Sequence, residues 1–121
     1  MSPEAESQAA VIEWAAWSER RYPELKWLHH IPNGGSRHPR EAANLKKQGV
    51  KAGVPDLSLP VARCGFHGLY IEMKYGRNKL SEPQRDCIAF LRGEGYAVNV
   101  CYSAQEAIVT IVKYLEGKLI I

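Results

Sequence analysis

The stretch Gly53–Lys74, GVPDLSLPVARCGFHGLYIEMK, decides the fold of this chain. Asp56 follows Pro55 and opens an apolar run, Leu57-Ser58-Leu59; Glu72 closes a second run, Leu69-Tyr70-Ile71, and Lys74 lies just beyond it. These runs predict two paired strands, Asp56–Val61 and Gly68–Tyr75, joined by a hairpin loop over Arg63–His67. Pro55 suits a strand start because it has no N–H to give to the ladder. Side chains two apart in a strand share a face, so Glu72 and Lys74 point one way and Met73 the other. Asp56, Glu72 and Lys74 can then converge on one point. Each has an ordinary reading as well: an Asp after Pro caps a turn, and Glu72 with Lys74 makes a weak same-face ion pair. Taken together, two carboxylates beside apolar strand cores carry a desolvation cost that pairing must offset. A hard cation such as Mg2+, which takes a few carboxylates plus waters and phosphate oxygens, would offset it. The Met73 carbonyl is a further candidate ligand.

Outward from this stretch, the chain alternates helices and strands. Ser2-Pro3-Glu4 reads as a helix start, with Ser as N-cap, Pro in the first turn and acids at the positive helix end. Ala9, Ala10, Ile12, Ala16 and Trp17 form the expected apolar stripe, widened by Val11 and Trp14. Glu4, Glu6 and Glu13 ride on this helix, either solvated or, for one of them, turned toward the metal. Leu25–Ile31 reads as a strand, in which adjacent His29 and His30 face opposite ways, one packed and one exposed. Pro32–Arg40 is a glycine-containing loop with several cations, able to approach phosphates but without a lysine-Ser/Thr pair at P-loop spacing. A short helix over Glu41–Gln48 ends at Gly49. Lys46, Lys47 and Lys51 gather just ahead of Asp56. After a second basic turn, Gly76–Lys79, Ser81 caps a helix with Pro83 in its first turn and Gln84 placed as in a capping box. Cys87, Ile88 and Leu91 make its buried stripe, helped by Phe90, and Gly93 and Gly95 end it. Tyr96–Tyr102 is a last strand. Ser103 caps a last helix carrying Ala107, Ile108, Ile111, Val112 and Leu115, and Lys118–Ile121 is a short strand or tail offering a subunit contact. The order predicts an α/β (α+β) fold: a small mixed β-sheet flanked by helices.

At 121 residues, 45% hydrophobic and 24% charged, the chain fits one compact domain over residues 1–121. Its net charge of +3 permits an anionic partner without demanding one. Cys64, Cys87 and Cys101 lack zinc-like spacing and read as reduced thiols of a cytoplasmic protein. No apolar run is long enough to span a membrane, and the N-terminus lacks a signal-peptide pattern. The tryptophans Trp14, Trp17 and Trp27 fall on the apolar stripe or in a strand and are expected in the core.

Phosphodiester hydrolysis asks such a site for an ion to withstand developing charge, a lysine to position water or stabilise the transition state, and cations to hold the backbone. Asp56 and Glu72 suit the first and Lys74 the second. For the third, the candidates are Asn33, Gly34, Arg37, Arg40, Lys46, Lys51, Arg77 and Lys79, whose phosphate contacts would be salt-dependent and mostly sequence-independent.

Pro55-Asp56 followed by Glu72-Met73-Lys74 resembles the PD-(D/E)XK signature of restriction-endonuclease-like nucleases. The surroundings are more specific. Ile31–Gly35, Gly49–Asp56, Gly68–Lys74, Leu80-Ser81 with Gln84, and Gly95-Tyr96 together resemble the VRR-NUC family, over nearly the whole chain. The resemblance implies a restriction-endonuclease-like core. It also implies that Asp56 and Glu72, with the Met73 carbonyl, hold Mg2+ or Mn2+, that Lys74 is the catalytic lysine, and that Gln84 supports the site. An acid of the first helix would complete it. Glu4, four residues before Gln8, matches the family pattern best, with Glu6 and Glu13 as alternatives. The small size is similar to that of stand-alone phage and bacterial members, which resemble Holliday-junction resolvases and act as homodimers. A DNA endonuclease selective for branched or flapped DNA is therefore implied. Nucleases of linear or single-stranded DNA, a non-catalytic nucleic-acid-binding module and a protein-interaction domain are the competing readings.

Overall fold

Residues 1–33 and 38–120 are described by the computed structural model. They form a four-stranded mixed sheet in the order β1-β2-β3-β4, made of β1 (His29–His30), β2 (Leu57–Leu59), β3 (Leu69–Met73) and β4 (Ala97–Cys101). The β1–β2 and β2–β3 pairs are antiparallel, and β4 runs parallel to β3. That parallel pair needs a crossover, supplied by helix α3 (Glu82–Gly93). Helices α1 (Pro3–Ser18) and α4 (Ala104–Leu115) pack on each other and on β3, while α3 packs on β4. The α/β fold expected from the sequence is the one observed.

The β2–β3 hairpin is set by strand alternation and one tight turn. Register pairs Leu57 with Ile71 and Leu59 with Leu69, so these four, with Met73, share one face. They join Val11, Ala15, Ala107, Ile111 and Tyr114 in one buried cluster. The alternate residues Ser58, Tyr70 and Glu72 point to the other face. Between the strands, Arg63 and Phe66 bridge across Cys64 (φ 55) and Gly65 (φ 81). Two successive positive φ values are what a two-residue type I′ hairpin turn requires.

Several expected elements differ. The strand proposed over Leu25–Ile31 is mostly a 310 turn, Pro23–Trp27, and only His29–His30 pair with β2. Pro23 opens it, and Leu25 and Leu28, three apart, are both buried, as a three-residue repeat dictates. Both histidines are exposed, rather than one being packed. The second helix, α2 (Pro39–Lys47), starts at Pro39 and not Glu41, because Pro is favoured at the first helical position. The paired stretches are shorter than expected, with Asp56 and Lys74 just outside β2 and β3. Residues 118–120 form no strand, and Ile121 lies outside the described residues.

Helix α1 turns a different side inward. Val11 and Ala15 are buried and Glu4, Gln8, Trp14 and Ser18 are half-buried, whereas Ala9, Ala10, Ala16 and Trp17 are exposed and Ile12 is largely so. Apolar residues surround this helix, so its composition barely distinguishes one face from the next. Small and β-branched residues take the tight contact with the sheet. Trp17 and Trp27 are exposed, at 82% and 61%, and Phe90 at 66%; none is in the core. The Lys26 ammonium lies 5.4 Å from the Trp27 ring centre, which suits a ring left at the surface. Tyr114, not singled out in the sequence, is fully buried, its hydroxyl donating to the Val61 carbonyl (2.6 Å) and accepting from the Arg63 N–H (3.2 Å).

Candidate active site

A cleft of about 290 Å³ opens where α1, the Pro55–Asp56 approach to β2, the end of β3 and the start of α3 meet. Glu4, Asp56, Glu72, Met73, Lys74 and Gln84 line it, together with Gln8, His30 and Asn33. The sequence-predicted carboxylates, lysine and glutamine are therefore in one place. Glu6 and Glu13 are exposed and do not line it, whereas Glu4 does. The i, i+4, i+7 spacing of Glu4, Gln8 and Val11 explains this: the face that seats Val11 on the sheet carries Glu4 and Gln8 to the cleft.

Each element fixes its side chain. Asp56 is 8% exposed, and its Oδ2 accepts the Met73 N–H at 2.8 Å, so β3 itself orients the aspartate. The Asp56 carbonyl is fixed separately by the Ile31 N–H (2.8 Å). Gly53, at φ 91, lets the preceding loop run against the first turn of α3; an added Cβ would lie 2.5 Å from the Pro83 carbonyl oxygen. Glu72 is 3% exposed on the α3 side of the sheet. Gln84 Nε2 donates to Glu72 Oε2 (3.2 Å), while Gln84 Oε1 accepts the Ser81 N–H (2.9 Å). The Ser81 Oγ accepts the Gln84 N–H in return (3.3 Å), completing the capping box. Lys74 leaves the sheet with its N–H bonded to the Cys101 carbonyl (2.9 Å). Asn78 Nδ2 donates to Glu4 Oε1 (3.1 Å), tying the turn after β3 to α1.

The electrostatics are those of a site short of positive charge. Burial first, and the Asp56 charge second, push the Glu72 carboxyl from 4.5 up to about 8. Burial also raises Asp56, against the lowering effect of the Met73 N–H and of the His30 and Lys74 charges. Among the described residues neither carboxylate sits in an ion pair; the two ion pairs are Arg63–Glu24 and Lys118–Glu116, both elsewhere. Two buried acids facing a polar cleft fit a hard divalent cation through their oxygens. Among the described residues no three His, Cys, Asp or Glu side chains gather closely enough to form a cage on their own. The residues here that could offer oxygens to such an ion are Asp56, Glu72, Glu4 and the Met73 carbonyl, with the remaining positions open to water and substrate oxygens.

Gln8, His30 and Asn78 also bear on the cleft; the sequence names Gln8 only as the marker for Glu4 and His30 only as one of an adjacent pair, and gives none of the three a role in the site. The His30 Nδ1 lies 2.8 Å from the Asp56 carbonyl oxygen, and the ring lines the cleft. The spacing of Gln8 from Glu4 was the one signal available; nothing local marked His30 or Asn78. Of the expected backbone-binding residues, Asn33 borders both the cleft and a neighbouring hollow of about 390 Å³, which Lys46 and Lys51 also line. Arg40, Arg77 and Lys79 are exposed and line neither the cleft nor the hollow. Gly34 and Arg37 lie outside the described residues.

A protein-family model described as the VRR-NUC domain matches residues 2–105. A solved structure described as a VRR_NUC domain protein is similar to this chain, with a TM-score of 0.77 and 34% identity over 97% of this chain and 91% of the other. Comparison with curated proteins finds no match.

Proposed function

The chain belongs to the VRR-NUC family, a nuclease-type domain that acts on nucleic acid, and we infer that it is a divalent-metal-dependent DNA endonuclease selective for branched DNA. The observation that carries this reading is the buried Asp56–Glu72 pair, unneutralised by any described ion pair and facing a cleft that Lys74 also lines. Asp56, Glu72 and the Met73 carbonyl would hold Mg2+ or Mn2+. Bound there, the ion supplies Lewis-acid stabilisation of charge developing on the phosphate and a lowered pKa for water.

The protein's own groups do the rest. Lys74 orients the attacking water or stabilises the transition-state charge. Gln84 holds the Glu72 carboxylate in one rotamer through its amide hydrogens. The Met73 N–H does the same for Asp56. Glu4, held by Asn78, faces the cleft and completes its acidic wall. Asn33, Arg40, Lys46, Lys51, Arg77 and Lys79 hold the sugar-phosphate backbone. A second copy of the chain, in a two-fold dimer, would present two such clefts to the arms of a junction.

The test is cleavage of a labelled four-way junction, a flap and a linear duplex in Mg2+, Mn2+ or EDTA, with Asp56→Asn and Lys74→Ala beside the wild type. Metal-dependent cutting that favours the branched substrates and is lost in both variants is expected. Folded wild type that binds DNA but cuts none of the substrates would sink the reading in favour of a binding module. Cutting that survives Asp56→Asn would put the chemistry elsewhere.

A further inference from the structure

Two exposed tyrosines stand where β3 and β4 end. Tyr75 follows Lys74 and is 54% exposed; Tyr102 follows Cys101 and is 41% exposed. Their strands are parallel neighbours, paired at Met73 and Cys101, so one step further Tyr102 falls opposite Lys74, a lysine of the cleft, and Tyr75 follows that lysine in the chain. The backbone between them and the cleft is fixed. The Asn78 N–H reaches the Tyr75 carbonyl (3.1 Å), closing a turn whose second residue, Gly76, has φ 60. A positive φ at that place is the demand of a type II′ turn, which glycine meets without strain. The Tyr102 hydroxyl donates to the Asn78 carbonyl (3.2 Å), and the Asn78 side chain donates to Glu4 on α1. The turn is thus tied to β4 and to α1, and it carries the exposed cations Arg77 and Lys79.

We propose that Tyr75 and Tyr102 form a stacking edge for an unpaired nucleobase adjoining the phosphate in the cleft. The proposal rests on the nuclease reading above and deepens it, by naming the feature of branched DNA that is recognised. Every base has a π-face that an aromatic ring can take, whatever the sequence. A base inside a continuous duplex is already stacked and must be pulled out at a cost, whereas an unpaired one at a junction or flap is free to move onto the edge. The edge therefore favours substrates with an unpaired nucleotide beside the cut. Arg77 and Lys79 hold the flanking phosphates of the same strand. Because the turn is held before DNA arrives, little ordering is left for binding to supply.

The probe is 2-aminopurine, placed at the unpaired position flanking the branch of a flap or, as control, inside a continuous duplex. With the full chain in EDTA, the wild type should quench the unpaired probe more than the duplex one. Tyr75→Leu should lose most of that quenching and Tyr75→Phe should keep it, with circular dichroism checking the fold and Tyr75→Ser as a second non-aromatic variant. In Mg2+, the flap-to-duplex ratio of kcat/KM should fall about tenfold in Tyr75→Leu and Tyr75→Ser and hold in Tyr75→Phe. An unchanged ratio in the non-aromatic variants, or bound flap without quenching, overturns the stacking edge while leaving the nuclease reading standing. Wild type that cuts no substrate overturns the nuclease reading instead, and quenching in EDTA still decides on the edge by itself.

Discussion

Replacing Glu72 by glutamine should stabilise the metal-free protein at pH 8. The wild-type carboxyl is 3% exposed and is raised from 4.5 to about 8, by burial first and by the Asp56 charge second. The folded chain therefore holds a proton that the unfolded chain gives up near pH 4.5. The sign follows: this group's contribution to stability is fully present below the unfolded value and is lost as pH rises toward about 8. The interval corresponds to an upper bound of about 5 kcal/mol. Relaxation of the cleft and sharing of the proton with Asp56 bring the expected loss to roughly 1–3 kcal/mol. Glutamine keeps the shape, removes the charge and can still accept the Gln84 amide through its own carbonyl. In EDTA, thermal and urea unfolding followed by circular dichroism should show wild-type Tm falling between pH 5 and 8. At pH 8 the Glu72→Gln variant should lead by roughly 4–12 °C for a chain of this size. Mn2+ should raise the wild-type Tm and leave the variant's where it was. Glu72→Gln that is less stable than wild type in EDTA at pH 8, or a wild-type profile flat across that range, would refute the argument that this carboxylate is held at a cost to the fold.

Tyr114→Phe removes a hydroxyl that serves the Val61 carbonyl and the Arg63 N–H, and should cost about 1–3 kcal/mol in urea unfolding without altering metal affinity. Gly53→Ala must escape both φ 91 and a 2.5 Å approach to the Pro83 carbonyl; a destabilisation of about 2 kcal/mol or more is expected, with weaker Mn2+ binding by calorimetry because Asp56 moves with the loop. The double variant Lys46→Ala/Lys51→Ala should lower the slope of log K against log salt for DNA binding by about one for each phosphate that is no longer neutralised. An unchanged slope would remove those lysines from the interface.

The sequence was most legible where backbone geometry leaves little choice. Strand alternation puts Glu72 on the face opposite Met73, and Pro55 marks the approach to β2, so the convergence of Asp56, Glu72 and Lys74 is legible in the sequence itself. Ser81, Pro83 and Gln84 announced the start of α3 through capping chemistry, which is local. Features decided by packing were not legible. Helix α1 offers alanines on most sides, so which side meets the sheet depends on the sheet. That choice is what sends Glu4, and not Glu6 or Glu13, to the cleft. Leu25 and Leu28 carried a three-residue repeat that a strand reading cannot use, and Trp17, Trp27 and Phe90 were assigned inward because a large apolar ring has nothing in its local sequence to say that it stays outside. Tyr114 has no local signal for its burial, because its hydroxyl finds its partners, the Val61 carbonyl and the Arg63 N–H, about fifty residues away in the chain.

The amide of Gln84 has a direction, and that direction has an evolutionary consequence. Its oxygen faces the Ser81 N–H and its nitrogen faces Glu72, so the group is an acceptor at one end and a donor at the other. Glutamate at this place would still close the helix start but would turn a third negative charge on the buried pair. Lysine would answer the charge and leave the helix start open. Alanine would do neither. Position 84 therefore tolerates few replacements although it lies in the first turn of a helix near the surface, and a chain that acquired glutamate there would be expected to keep its helix and lose its cleft.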